Sequence, residues 1–199
     1  YFSKPSLKDF TEFIGVGMYD YEESYNYLYK DKKGLLLSLG TSSDAINYFD
    51  DFIPIIKDTI ETSQLNDKIL FLEPWVFDLI DLRINNVLKA DYSKEMFGQI
   101  AAAIIRPGIG TLSSVWSAKG RIYPIYEPNN DEMKFNASII NQIQKTDIKN
   151  DLILSLHKAL RYINNSNEIS DNSNKLNSID YNGIEDSAKI ILNFFTGNK

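Results

Sequence analysis

Cysteine is absent from this chain of 199 residues, and histidine occurs once, at position 157. Without thiols there is no disulfide framework and no thiolate zinc or iron-sulfur centre. A transition metal would have to be held by carboxylates alone, so no metal site is expected; no cofactor is expected either. Basic residues are in the minority, 21 against 27 acidic, for a formal net charge of -6. A nucleic-acid backbone asks for clustered Lys and Arg on one face, so nucleic acid is not an expected partner. Long apolar runs are also missing. The run 100–105 falls far short of the roughly 20 residues that cross a bilayer. Tyr1 is neither an initiator Met nor part of a charged signal region, so the chain reads as a cytoplasmic piece of something longer.

What is present is enough apolar material for a core. Hydrophobic residues make up 43% of the chain, and a domain of this size buries roughly 70% of its unfolded-chain surface. One tract stands apart. Residues 164–177 are nearly all Asn, Ser, Asp and Glu, with little to offset the entropy of ordering them, and a mobile surface loop is expected near 164–179.

Elsewhere short apolar runs alternate with amphipathic stretches, the pattern of parallel strands joined by crossover helices. Strands are expected at 34–39, 68–72, 86–90 (the weakest), 100–105 and 121–126. The run 100–105 is continuously apolar, as a central strand covered on both faces would be, and Pro124 assigns 121–126 to an edge or irregular position. Helices are expected at 45–60, from Gly108 to about Lys119, at 131–144, 147–163 and 184–195. The fold class is therefore α/β, a Rossmann-like three-layer domain with a mostly parallel sheet.

In such a sheet ligands sit beyond the carboxyl ends of the strands, so the loops at Gly40, Tyr92, Gly108 and Glu127 should face one crevice. Gly108-Ile109-Gly110-Thr111 follows a buried strand and opens a helix. Without Cβ atoms the backbone can approach a phosphate, while the first helical N–H groups and the helix dipole favour negative charge. A Gly needed only for a tight turn explains the pair about as well on this pattern alone. Neither complete phosphate-binding fingerprint occurs: Ser113 stands where a third Gly would be, and there is no Gly-Lys-Thr or Gly-Lys-Ser.

Read together, 106–112 (Arg-Pro-Gly-Ile-Gly-Thr-Leu) and 127–137 (Glu-Pro-Asn-Asn-Asp-Glu-Met-Lys-Phe-Asn-Ala) resemble the donor-binding half of GT-B glycosyltransferases. The likeness includes the donor half of the UDP-GlcNAc transferase of peptidoglycan synthesis and its relatives. The stretch 91–96 is similar to the family's base-reading loop, Leu39-Gly40-Thr41-Ser42 to its first loop, and 13–17 to the linker from the acceptor half. Residues 1–30 would then be a linker from a missing N-terminal acceptor domain, and 31–199 the donor-binding domain.

The resemblance implies a nucleoside-diphosphate sugar as substrate, UDP- or GDP-linked, whose sugar passes to an acceptor hydroxyl. It implies that Gly108, Ile109, Gly110 and Thr111 hold the diphosphate, aided by Arg106, Gly40, Thr41 and Ser42. Tyr92 and Ser93 would read the base, with Ser114 at the ribose. Glu132 would meet the sugar, with Glu127 and Asn130 assisting and Asn136 bracing the helix start. The general base would lie in the missing half, leaving this piece inactive alone. Many relatives carry a ribose-binding acid after the Gly turn, where this chain has Ser113-Ser114-Val115-Trp116-Ser117. That departure supports the alternative of a degenerate or non-catalytic nucleotide-sugar-binding module, or the donor subunit of a two-chain transferase.

Plainer roles are expected for other conspicuous residues. His157 falls in a late amphipathic helix and reads as a surface residue. Trp75, Trp116 and the tyrosine-rich 19–29 read as packing or crevice wall.

Overall fold

The computed structural model describes residues 33–165, except 64, 66 and 83, together with 169. The linker 1–30, the tyrosine-rich stretch, the 184–195 helix and all of the 164–179 loop except positions 164, 165 and 169 lie outside the described residues.

Five strands form one sheet. They are β1 (Gly34–Ser38), β2 (Ile69–Leu72), β3 (Val87–Lys89), β4 (Ile100–Ile105) and β5 (Arg121–Pro124), in the order β3-β2-β1-β4-β5, every pair parallel. The helices between them are α1 (Ser43–Phe49), α2 (Ile53–Thr62), α3 (Pro74–Ile80), α4 (Lys94–Gln99) and α5 (Ile109–Ser117), with α6 (Asp131–Gln144) and α7 (Leu152–Ile163) after β5.

The centre of the sheet is apolar because both faces are covered. All residues of β1 and β4 are buried, and their side chains divide between two cores. Leu35, Leu37 and Ile104 pack with Ile56, Ile60, Val76, Leu156 and Leu160 on one face. Leu36, Ala103 and Ile105 pack with Phe97, Leu112, Trp116 and Ile140 on the other. The β1/β4 register steps from Gly34↔Ile100 to Leu35↔Ala102, leaving Ala101 as an extra residue in β4.

The free side of β5 is covered by side chains instead of another described strand. The Gln144 amide accepts from Ile122 N at 2.8 Å and donates to Ile122 O at 2.8 Å. Asn150 does the same for Tyr126 N (2.8 Å) and Tyr126 O (2.9 Å). Both amides imitate a neighbouring backbone and satisfy groups that a bare edge would leave open.

Several sequence expectations need correction. The helix expected at 45–60 is broken by a 3-10 turn at Asp50–Phe52, two residues before Pro54, which has no N–H to give an α ladder. The helix expected from 147 starts at Leu152, capped by Asp151 Oδ1 accepting from Leu154 N. It lies against β4 and β1, not across the sheet end. Two short helices, α3 and α4, occupy stretches expected as a stop and a loop. Among the described residues no helix is long and apolar enough to cross a membrane.

Candidate functional site

Because the strands run in parallel, the segments after each of them emerge at one end of the sheet. The strand order reverses between β1 and β4, so the turns after these two strands flank the crevice where open α/β sheets bind ligands. The turns are in direct contact. Gly40 sits at φ +90, and a Cβ on it would meet Arg106 Cδ at 2.7 Å. Glycine is required here by both backbone angle and space.

A line of polar contacts runs along the crevice floor. Glu73, directly after β2, is 3% exposed and accepts from Gly40 N at 2.7 Å through Oε2. Its Oε1 accepts from the Tyr92 hydroxyl at 3.2 Å, and that hydroxyl is also 3.1 Å from Ser38 Oγ. Burial pushes the Glu73 carboxyl above the usual carboxylate range, against the hydrogen bonds that favour its charge. Burial likewise drives the Tyr92 phenol upward. Trp75 donates Nε1–H to Gly40 O at 2.9 Å and walls the same turn. Glu73 thus joins the loops after β1 and β3.

The other half of the floor is an ion pair. Arg106 donates Nε–H to Glu127 Oε1 at 2.9 Å and Oε2 at 3.0 Å, with both side chains largely buried. Behind it, buried Asn136 donates Nδ2–H to Pro107 O at 2.9 Å and fixes the turn from the α6 side. The Gly40, Tyr92, Gly108 and Glu127 loops are therefore brought together at one end of the sheet.

At the mouth stands the start of α5. Gly108 N–H folds back onto Arg106 O at 2.7 Å, while Leu112 N–H makes the first helical bond, to Gly108 O at 3.0 Å. Three amides lie between. The N–H groups of Ile109, Gly110 and Thr111 have no hydrogen-bond partner among the described residues, and no side chain caps this helix. A Cβ placed on Gly108 or Gly110 would meet nothing within 4 Å, and neither residue has positive φ. Nothing in the packing of the described residues demands glycine at these two positions.

The remaining residues singled out from the sequence are placed as follows. Gly108 contributes no free amide, so the set of four becomes three. Ser114 is buried and donates its hydroxyl to Gly110 O at 3.2 Å, inside the helix. Ser93 caps α4: its Oγ accepts from Met96 N, its carbonyl accepts from Phe97 N, and its own N–H goes to Asp91 Oδ1. Tyr92, at φ 55, keeps its backbone groups without partners among the described residues. Ser42 caps α1, accepting from Ala45 N at 3.3 Å, and Thr41 beside it is exposed. Asn130 caps α6, accepting from Met133 N at 3.1 Å, while Glu132 is exposed in its first turn. His157 is exposed on α7, and Trp116 is fully buried.

Sequence reasoning missed Glu73. Its one signal was a lone acid ending an apolar strand, at the edge where ligands bind in parallel sheets.

No family model matches this sequence, and no curated protein matches it. Solved structures do match its fold. A glycosyltransferase of kitacinnamycin superposes at TM-score 0.51 with 15% identity, over 88% of this chain and 46% of the other. The spinosyn rhamnosyltransferase SpnG superposes at 0.53 with 10% identity, over 90% of this chain and 52% of the other. The fold is a Rossmann-like α/β domain resembling one half of a GT-B fold. The chain spans about half the length of those structures.

Proposed function

We propose that this chain is the donor-binding half of a glycosyltransferase that moves a sugar from a nucleoside diphosphate to an acceptor hydroxyl. The observation that carries the reading is the start of α5: three amides unpartnered among the described residues, beside two glycines that the packing of those residues does not require. Such a terminus attracts anionic oxygens through direct N–H donors and the helix dipole. The missing Cβ atoms leave room for a phosphate to reach the backbone.

In this reading the donor diphosphate rests on Ile109, Gly110 and Thr111, and the base meets the backbone of Tyr92. Glu132 and Asn130, at the start of α6, face the sugar. As the bond from the anomeric carbon to the diphosphate breaks, negative charge grows on the departing oxygens. Amides held by a helix already point at that charge and need no reorganisation to stabilise it. Arg106 adds a positive charge, its Nε held in place by Glu127. The base that takes the acceptor's proton belongs to a second domain or partner subunit, so transfer needs that half as well. The donor is UDP- or GDP-linked.

One observation favours the non-catalytic alternative. The segment where relatives carry a ribose-binding acid is Ser113 to Ser117 here, and its first four residues are buried. Calorimetry with UDP, GDP and their sugars tests the reading. Heat of binding that is lost on Gly110→Asp supports it; no heat for any of them at millimolar ligand overturns it.

A further inference from the structure

A second cleft lies away from the proposed donor crevice, beside the first residue of β5. Arg121 pairs in register with Ala102, three residues before the end of β4, roughly 10 Å back from the crevice edge. The chain that follows α6 folds back past this strand, and α7 closes the other side. Arg121, Thr146, Asp147, Lys158 and Arg161 are among the residues lining a cleft of about 270 Å³.

Its charge is unlike that of the rest of the chain. The protein carries six more acidic than basic charges, yet three cations converge here against one carboxylate. That carboxylate, Asp147, already pairs with Lys149 at 2.7 Å. None of Arg121, Lys158 and Arg161 forms an ion pair with a described residue. Lys158 and Arg161 are three apart on α7, a spacing at which like charges repel.

Arg121 is held in position. Its guanidinium carbon lies 5.6 Å from the Tyr123 ring centre and 5.2 Å from that of Tyr162, so two aromatic faces fix the plane of its donors. Its Nε is buried without a hydrogen-bond partner among the described residues, and a buried charged donor left unpaired is costly. Neither repulsion nor unpaired donors help the fold, and both are relieved by an anion.

We propose that this cleft binds a small phosphate-bearing molecule, independently of the donor crevice. Three cations suit a dianion better than a single carboxylate, and the fixed guanidinium fork with a nearby ammonium suits phosphate oxygens. The volume lies just under the usual range for ligand sites, about 300 to 1,000 Å³, which limits the occupant to a phosphate with a small attached group.

The test is a nuclear magnetic resonance titration of the full chain with inorganic phosphate, ionic strength held constant with chloride. The site predicts saturable shifts at the Arg121 side-chain N–H and at the amides of Thr146, Asp147 and Ile148, unchanged by Gly110→Asp. It also predicts at least about tenfold weaker binding in Arg161→Gln, the loss expected from one charge-assisted contact. Lys158→Gln, on a half-buried helix position, gives the same readout should Arg161→Gln fail to fold. Shifts that grow linearly without saturation, or undiminished affinity in the folded variants, would overturn the proposal. Signals from Ile109 to Thr111 report separately on the donor crevice, so failure at one site leaves the other standing.

Discussion

Arg106 and Glu127 join the turn after β4 to the segment after β5 through a single guanidinium nitrogen that donates to both carboxylate oxygens, at 2.9 and 3.0 Å. The two residues are 21 apart in sequence and meet because their strands are parallel neighbours. With Glu73 holding Gly40 and Tyr92, and Gly40 packed close to Arg106, these contacts tie together the segments after β1, β2, β3, β4 and β5.

The pair should be coupled. Glu127→Leu alone leaves a largely buried guanidinium without its partner and should cost roughly 3 kcal/mol. The double variant Arg106→Met with Glu127→Leu removes both charges and should recover most of that loss. Urea unfolding of the wild type, both single variants and the double variant measures the coupling, and strictly additive losses would show that the contact does not hold the floor together.

Two glycines should respond oppositely to alanine. Gly40→Ala forces a side chain into positive φ and against Arg106, and should destabilise the fold by more than about 1 kcal/mol. Gly110→Ala enters open space within a helix and should be neutral or stabilising by up to about 1 kcal/mol. Thermal unfolding compares them, and equal losses would refute the distinction.

Glu73 should make stability depend on pH. Its carboxyl is raised in the fold by burial, so the stability it contributes is fully present below the unfolded value of about 4.3 and is lost as pH rises through the folded value. Glu73→Gln keeps an oxygen to accept from Gly40 N and carries no charge. The stability of the wild type relative to Glu73→Gln should therefore fall as pH rises above the unfolded value of about 4.3. A difference that stays flat or grows with pH would contradict the assignment.

Much of the scaffold could be read in advance because its signals are local. The strand at 100–105 and the helix at 131–144 match the structure to the residue, since one is an unbroken apolar run and the other is bounded by a capping Asn130. Pro124 does lie on the final strand of the five-stranded order. Short elements escaped: α3 and α4, of 7 and 6 residues, are too brief to show helical periodicity. The strand expected to reach 126 ends at Pro124, and beyond it the Asn150 amide takes over the backbone of Tyr126. Pairings across the crevice were the least legible. Glu73 meets Gly40 and Tyr92 from 33 and 19 residues away, and no spacing rule announces such a meeting. The inward turn of Ser114 and the engaged amide of Gly108 depend on local geometry that residue types alone leave open.

The most direct measurement is a titration of the isotope-labelled chain with UDP, followed by nuclear magnetic resonance at each backbone amide. The account predicts that the signals of Ile109, Gly110 and Thr111 shift together and saturate, and that Gly110→Asp abolishes the shifts while the protein still unfolds at the wild-type temperature or above. If UDP and GDP both leave those three amides unmoved at millimolar concentration, or move them equally in Gly110→Asp, the helix after Pro107 is not a diphosphate cradle.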